Sequence, residues 1–318
     1  MKKALIVGID NYDGNCSDLN GCVNDALSVS NVLERNYDGT LNFQIKKLIA
    51  TSENNLVTRH ELYDNIKELF SGEDEVVLFY FSGHGYIESN QGYLVPSDMK
   101  ATCDCIKMDD IMQMCNNSKA KNKIIILDCC FAGSMGDNPY LSPQVILNEG
   151  VTILSACSRN QYSIESNGHG LFTELLVDAL NGSAADILGQ ITPGSIYAHI
   201  DQSLGAWNQR PVFKTNVQQF ISLRQANPSV DISELVQITD IFKHPAEEYK
   251  LDASYEPTSD IKDEINVGIF KILQHMESVN LVIPVDEEHM YYAAINEKSC
   301  KLTSKGVHYW NLVKNKRI

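Results

Sequence analysis

The chain has 318 residues, of which 43% are hydrophobic and 21% charged, as is typical of a globular protein with a packed core. Its net charge of −15 argues against nucleic acid as the main partner, because phosphate contacts require clustered Lys and Arg. No apolar stretch approaches the roughly 18 residues of a membrane span. The opening MKKALIVGID is too short for a signal peptide and predicts a first strand.

The strands and helices predicted along the first 223 residues alternate. Strands are predicted at 4–9, 43–49, 76–81, 123–127, 151–156 and 217–223, and helices at 18–35, 58–70, 108–115, 171–181 and 194–207. Thr58 with Glu61 three residues later forms a capping box at the start of the second helix. The alternation predicts an α/β fold, in which a mostly parallel sheet is flanked by helices on both faces.

A polar, proline-containing linker at 224–232 predicts a boundary between two domains, 1–225 and 226–318. The second part is predicted to contain helices, two short strands and a terminal helix. The helices are predicted at 233–243 and 260–278, and the strands at 281–285 and 290–295. This order suggests a small winged-helix (α+β) domain.

The nine cysteines show no C-x-x-C pair, and their odd number does not suit a disulfide framework. We therefore predict reduced thiols and a cytoplasmic location. A zinc site at Cys103, Cys105 and Cys115 is the alternative. The usual two-residue spacer and a nearby histidine are missing there.

Two segments at the carboxyl ends of predicted strands carry chemistry: SGHG at 82–85 and DCC at 128–130. Sites in parallel sheets gather beyond these strand ends. A thiol needs a neighbouring base to become a nucleophilic thiolate, and His84 can be that base for Cys130. The backbone N–H groups of Gly85 and Cys130 are the predicted oxyanion donors.

Cys129 is the alternative nucleophile. Neighbouring residues of an extended chain face opposite ways, so we expect Cys129 to point into the core when Cys130 points out.

Residues 1–223 resemble the caspase-like cysteine peptidases, nearest to the metacaspases and their bacterial relatives. Seven segments in order carry the resemblance: KALIVGID, LNGCVNDA, VVLFYFSGHG, GYLVPSD, KIIILDCCFAG, VTILSACS and GLFTELLVDAL. His84 precedes Cys130 by 46 residues, and the caspase histidine lies about 50 residues upstream of its cysteine. The resemblance implies a caspase-like fold and a cysteine endopeptidase, with His84 as general base and Cys130 as nucleophile. Cys129 and Phe131 depart from the metacaspase motif, which often has serine and histidine there.

The resemblance also implies a substrate class. Asp128 matches a metacaspase aspartate that lines a pocket for Arg or Lys, where animal caspases have a glutamine and prefer aspartate. Asp25 matches the second acid of that pocket, and Ser155 is predicted to form a pocket wall. Two carboxylates bind a guanidinium bidentately, which implies cleavage after Arg and, less well, after Lys. The alternatives are an exposed helix acid at Asp25 and a loop-fixing carboxylate at Asp128.

Some relatives need calcium, and several acids could supply oxygen ligands for it. They are Asp74, Glu75, Asp104, Asp109 and Asp110. No EF-hand loop is present and no ligand set can be named, so the sequence predicts no cofactor and favours solvated acids.

The region 226–318 has 10 Lys or Arg and 15 Asp or Glu, a net charge of −5. This charge favours docking of a protein activator or sensor over DNA. By analogy of architecture alone, such a domain suggests a regulated effector in stress response or antiviral defence. The alternative is a catalytically silent caspase-like adaptor or regulator that acts through the winged helix. The intact pair His84 and Cys130 favours the protease.

Overall fold

A computed structural model of the chain describes residues 1–13, 16–89, 91–129, 146–156, 165–166, 169–204 and 210–318. The chain divides into two compact units. The first comprises residues 1–185 and 190–227, and the second comprises residues 186–189 and 228–318. Within the described part, every helix is too short or too polar to cross a bilayer.

The first unit is built from strands that alternate with helices. Its strands are β1 (Lys2–Ile9), β2 (Gln44–Ala50), β3 (Val76–Ser82), β4 (Gly85–Glu88), β5 (Gln91–Leu94), β6 (Ile106–Lys107), β7 (Asn122–Asp128), β8 (Val151–Ser155), β9 (Glu165–Ser166), β10 (His169–Gly170), β11 (Gln190–Ile191), β12 (Val212–Asn216) and β13 (Arg224–Gln225). Its helices are α1 (Cys22–Glu34), α2 (Arg59–Ser71), α3 (Met108–Asn117), α4 (Leu171–Asp178) and α5 (Pro193–Ser203).

A six-stranded sheet of order β12-β8-β7-β3-β1-β2 forms the centre of the first unit. All its neighbouring strands run parallel except β12, which is antiparallel to β8. Alternate side chains of β1 enter opposite cores, because successive residues of a strand face opposite ways. Leu5 and Val7 pack with α2 and α3, whereas Ala4 and Ile6 pack with α1, α4 and α5. The predicted parallel sheet with helices on both faces is thereby confirmed.

Two features of the first unit differ from the sequence-based expectation. The strand predicted at 217–223 is wrong, since the last strand of the sheet is β12 (Val212–Asn216). β12 is a half-exposed edge strand that contains Lys214, so its apolar signal is weak. The antiparallel strands β4, β5 and β6 were not predicted, because each has only two to four residues.

The second unit combines short helices with a small sheet. Its elements are α6 (Ile232–Leu235), α7 (Ile238–Ile241), β14 (Glu248–Lys250), α8 (Glu264–Ser278), β15 (Val282–Val285), α9 (Met290–Ile295), β16 (Ser299–Leu302) and α10 (Ser304–Lys314). The sheet has the order β14-β16-β15 and is antiparallel. Phe242, Phe270 and Trp310 lie in its hydrophobic core, where the indole N–H of Trp310 donates to the Phe242 carbonyl at 2.7 Å.

The strand predicted at 290–295 is wrong, because these residues form helix α9. Met290, Ala293 and Ala294 are buried while Tyr291 and Tyr292 are exposed, a spacing that fits a helical turn rather than a strand. β15 and β16 therefore pair across a helix instead of a short hairpin turn. The winged-helix assignment of this unit stays a prediction.

Candidate active site

His84 lies in the tight connection between two strands. β3 is buried along its whole length and ends at Ser82, and β4 begins at Gly85. A Cβ atom at Gly83 would lie 2.9 Å from the Tyr12 hydroxyl oxygen and 3.0 Å from the Phe81 ring. This crowding explains the glycine before His84. Because β3 ends at Ser82, His84 lies at the carboxyl edge of the sheet, where the sequence predicted a site.

Two contacts hold His84. Its Nε2 lies 2.8 Å from the carbonyl oxygen of Ser17, and its backbone N–H donates to the Tyr12 hydroxyl at 2.8 Å. The Tyr12 and His84 rings also touch, with centroids 4.7 Å apart. Because a carbonyl oxygen only accepts, Nε2 must carry a hydrogen, so in the neutral ring the lone pair lies on Nδ1. Burial raises the pKa of Tyr12 well above its usual range, which keeps the hydroxyl protonated.

Asp25 is a buried acid in the first turn of α1, only 1% exposed. The N–H of Gly170 donates to both carboxylate oxygens, at 3.2 and 3.0 Å, and the Ser82 hydroxyl donates to Oδ2 at 3.3 Å. His169 Nδ1 lies 3.0 Å from Oδ1. The alternative of an exposed helix acid at this position is therefore wrong.

Asp128, the last residue of β7, is 4% exposed. Its Oδ2 accepts a hydrogen bond from the Thr173 hydroxyl at 2.7 Å, and the Tyr80 hydroxyl lies 2.6 Å from the same Thr173 oxygen. A Cβ atom at Gly170 would overlap Asp128 Oδ2 and lie 3.1 Å from Asp25 Oδ2. The two carboxylates therefore flank the backbone of Gly170. We call Asp25 and Asp128 the acidic pair.

The electrostatics of the acidic pair favour a cation. Burial raises the pKa of Asp25 to about 7, and the charge of Asp128 adds to this effect. The hydrogen bonds from Gly170 and His169 act in the opposite direction and are smaller. Two carboxylates out of water repel each other, so a cation between them relieves both the repulsion and the lost hydration.

Three further site residues were predicted, namely Gly85, Cys130 and Ser155. Cys130 lies outside the described residues. Gly85 faces Leu94 while the Val95 N–H donates to the His84 carbonyl, so the Gly85 N–H points away from β5. That orientation suits an oxyanion donor. Ser155 is fully buried at the end of β8, opposite Leu127, and its role as a pocket wall stays a prediction.

Cys129 is 1% exposed and packs in the hydrophobic core beside the sheet. This burial disfavours Cys129 as the nucleophile, because an attacking thiol must reach a substrate.

Three of the five acids considered for calcium have other partners. Asp74 pairs with Lys3 at 2.9 Å, Asp109 accepts from the Gln91 amide, and Asp104 accepts from the N–H groups of Lys100 and Ala101. Across the described ranges, no group of three or more His, Cys, Asp or Glu side chains is arranged to hold a metal ion.

The contacts of several site residues were not predicted from the sequence. Ser82 contacts Asp25, and Tyr12 and Ser17 contact His84. Tyr12 and Ser17 lie in a segment in which the sequence predicted no catalytic residue. The signal for Ser82 was available, since it ends the same strand that His84 follows. The contacts of His169 and Gly170 with Asp25 were not predicted, because the two residues lie 144 and 145 residues from Asp25 in sequence.

The chain is similar to known proteins in sequence and in fold. Residues 1–223 match the caspase domain of peptidases. Metacaspase-6 of Arabidopsis thaliana is 33% identical over 152 residues, which cover 43% of this chain and 39% of the relative. Metacaspase-1 of Cryptococcus neoformans is 30% identical over 188 residues, which cover 49% and 39%. The chain therefore spans about two fifths of the length of these curated relatives.

Two crystal structures share the fold. A protein from Geobacter sulfurreducens aligns with a TM-score of 0.52 at 18% identity, over 71% of this chain and 97% of that one. Caspase-1 from Spodoptera frugiperda aligns with a TM-score of 0.50 at 16% identity, over 71% and 90%. At these identities the likeness concerns the fold alone.

Proposed function

This chain belongs to the caspase family of cysteine peptidases, and we propose that it cleaves proteins after Arg, and less efficiently after Lys, through His84 and Cys130. The observation that carries the proposal is the acidic pair. Two buried carboxylates flank one backbone glycine at the sheet edge that also holds His84.

The proposed chemistry begins with a proton transfer. His84 Nδ1 takes the proton from the Cys130 thiol, and the thiolate attacks the carbonyl carbon of the scissile peptide. The Ser17 carbonyl, which already accepts a hydrogen bond from Nε2–H, stabilises the imidazolium that results. The imidazolium then returns its proton to the leaving amine, which leaves a thioester on Cys130. A water molecule, deprotonated by the same imidazole, hydrolyses the thioester and restores the thiol.

Charge builds on the substrate oxygen during each attack. We assign its stabilisation to the N–H groups of Gly85 and Cys130, because preorganised donors at this oxygen lower the barrier. The orientation of the Gly85 N–H, away from β5, supports this role.

The acidic pair supplies the proposed specificity. A guanidinium has five N–H donors in a planar fork and can bond to both carboxylates, whereas an ammonium is a single point charge. An acidic side chain would be repelled. Arg is therefore the best substrate residue, Lys is second, and Asp is excluded.

The test is a set of fluorogenic peptides that differ only in the residue before the scissile bond, namely Arg, Lys or Asp, assayed with and without calcium. We expect cleavage of the Arg peptide, weaker cleavage of the Lys peptide, and none by Cys130→Ala. A preference for Asp would refute the basic specificity. No cleavage by a folded wild-type chain under any of these conditions would favour a catalytically silent adaptor.

For the second unit we propose docking of a protein activator or sensor rather than DNA. Its support is the net charge of −5 over residues 226–318, together with large apolar side chains exposed on this unit. The most exposed are Ile232, Ile261 and Ile265, with Tyr291 and Tyr292. Anisotropy of a labelled DNA duplex at low salt tests the alternative, and saturable binding there would contradict the proposal.

A further inference from the structure

His169 contacts Asp25 of the acidic pair and reaches solvent. It lies in β10, just before α4, and its Nδ1 is 3.0 Å from Asp25 Oδ1. The side chain of His169 is 40% exposed, whereas that of Asp25 is 2% exposed. A partly solvated imidazole therefore lies against a buried carboxylate that has been assigned to the substrate.

The three hydrogen-bonding partners described for Asp25 differ in how readily they can leave. The Gly170 N–H belongs to the backbone, and Ser82 is 1% exposed at the end of a fully buried strand. Both are fixed by the fold. His169 is held to Asp25 by a side chain that reaches solvent, and rotation about its Cα–Cβ bond can release it without moving the sheet. Of these partners, His169 is the one that a ligand can replace.

The chemistry of His169 resembles that of the expected ligand. An imidazole offers Asp25 an N–H donor and, when protonated, a positive charge. A substrate arginine offers the same two features with more donors. Asp25 Oδ1 already accepts hydrogen bonds from His169 and from the Gly170 N–H, so a basic side chain that bonds to this oxygen competes with His169 for it.

We propose that His169 is a specificity-determining residue that occupies the place of the substrate's basic group on Asp25 and is displaced when arginine binds. The inference rests on the proposed basic pocket. A guanidinium can compensate for the lost His169 contact by bonding to both acids, whereas an ammonium compensates for less of it. His169 therefore weakens the binding of Lys more than that of Arg and widens the difference between them.

The first test is a comparison of His169→Ala and His169→Gln with the wild type on the Arg and Lys peptides. His169→Ala should lower KM roughly three- to tenfold for the Lys peptide, and by less for the Arg peptide, with kcat nearly unchanged. His169→Gln keeps a hydrogen-bond donor without the charge, so its KM for each peptide should lie between those of the wild type and His169→Ala. A purely structural role would instead lower kcat or the melting temperature.

The matched control is His275→Ala in the second unit. His275 has the same arrangement, with Nδ1 2.8 Å from Glu234 Oε2 and a side chain that is 44% exposed. It should leave both KM values unchanged. An unchanged or raised KM for the Lys peptide in folded His169→Ala would overturn the inference. The proposed function would still stand in that case, provided that the wild type cleaves after Arg. A wild type that does not cleave after Arg refutes the proposed function, and the inference with it.

A second measurement does not depend on the His169 variants folding. In the Cys130→Ala chain with isotope-labelled histidines, a saturating Arg peptide should shift the ring resonances of His169 and leave those of His275 in place. Unshifted His169 resonances in the presence of bound peptide would overturn the inference.

Discussion

His84 Nε2 lies 2.8 Å from the carbonyl oxygen of Ser17, and this contact decides which imidazole nitrogen is available to act as the proposed base. With Nε2–H committed to the carbonyl, the lone pair of the neutral ring is on Nδ1. In the proposed mechanism this backbone carbonyl takes the part of the carboxylate in triads of the serine-protease type, because it fixes the tautomer and would stabilise the imidazolium. The acceptor is neutral, so it adds no further negative charge to a site that already contains two acids.

The first prediction separates the two adjacent cysteines. Cys130→Ala should abolish peptide cleavage, whereas Cys129→Ala should keep it, because Cys129 is buried in the core. Loss of the buried thiol should cost about 1 kcal/mol of unfolding free energy. Peptide assays and urea unfolding check both variants. Persistent cleavage by Cys130→Ala, or its loss in folded Cys129→Ala, would contradict the assignment.

The second prediction concerns pH and substrate affinity. Burial and Asp128 raise the pKa of Asp25 to about 7, so Asp25 loses its charge as the pH falls through this value. KM for the Arg peptide should therefore rise below about pH 7. Asp25→Asn should have a high KM at every pH and should not show this rise. A rise of the same size in Asp25→Asn would assign the titration to another group.

The third prediction concerns pH and stability. The pKa of Asp25 is higher in the folded chain than its ordinary value of 3.8, so between about pH 4 and 7 the folded state binds more protons than the unfolded state. Asp25 therefore makes the free energy of unfolding fall as the pH rises through this window. Urea unfolding at pH 5 and pH 8 should show a smaller fall in Asp25→Asn than in the wild type. An equal fall in both would contradict the buried, repelled state of Asp25.

The fourth prediction tests the space between the two carboxylates. Gly170 has φ of −70° and ψ of 128°, which alanine adopts without strain, so Gly170→Ala changes only the packing. The added methyl would overlap Asp128 Oδ2, and we expect a loss of about 1–3 kcal/mol of unfolding free energy and a higher KM for the Arg peptide.

Gly268→Ala is the control for this variant. Gly268 lies in α8 with nothing within 4 Å of the added Cβ, so the substitution should stabilise the chain by about 0.5–1 kcal/mol. Equal melting temperatures for Gly170→Ala and the wild type would argue against the close approach of the two carboxylates to Gly170.

The fifth prediction follows from the sequence after the nucleophile. No Lys or Arg occurs between Ser134 and Ser158. A protease with basic specificity cannot cut itself there, so we expect activity from a chain that is intact in this region. Incubation followed by mass spectrometry checks this, and two fragments split between Asn138 and Asn148 would contradict it.

The sequence predicted the centre of the sheet well because β1, β3 and β7 are near-continuous apolar runs, the pattern of strands buried on both faces. It failed where burial is partial. β12 is an edge strand, and the segment of α9 contains Tyr291 and Tyr292, which favour strands when they are considered alone. In α9, the burial of Met290, Ala293 and Ala294 outweighs that preference.

Some residues of the candidate site could likewise be predicted from the sequence, and others could not. His84 could be found from its glycine-flanked position after a buried strand, and Asp25 and Asp128 came from the resemblance to metacaspases. His169 and Gly170 could not be found, since they meet Asp25 only through packing of β10 against α1. Local sequence carries no record of such a contact.

The most direct test of the account is kcat/KM for the matched Arg and Asp peptides, measured for the wild type and for the double variant Asp25→Asn, Asp128→Asn. The wild type should cleave the Arg peptide and leave the Asp peptide intact. The double variant, with its fold checked by its melting temperature, should lose at least about a hundredfold on the Arg peptide, because each neutralised acid removes a charge-assisted bond worth about 1.5–3 kcal/mol. Undiminished cleavage of the Arg peptide by the folded double variant, or cleavage of the Asp peptide by the wild type, would contradict the account.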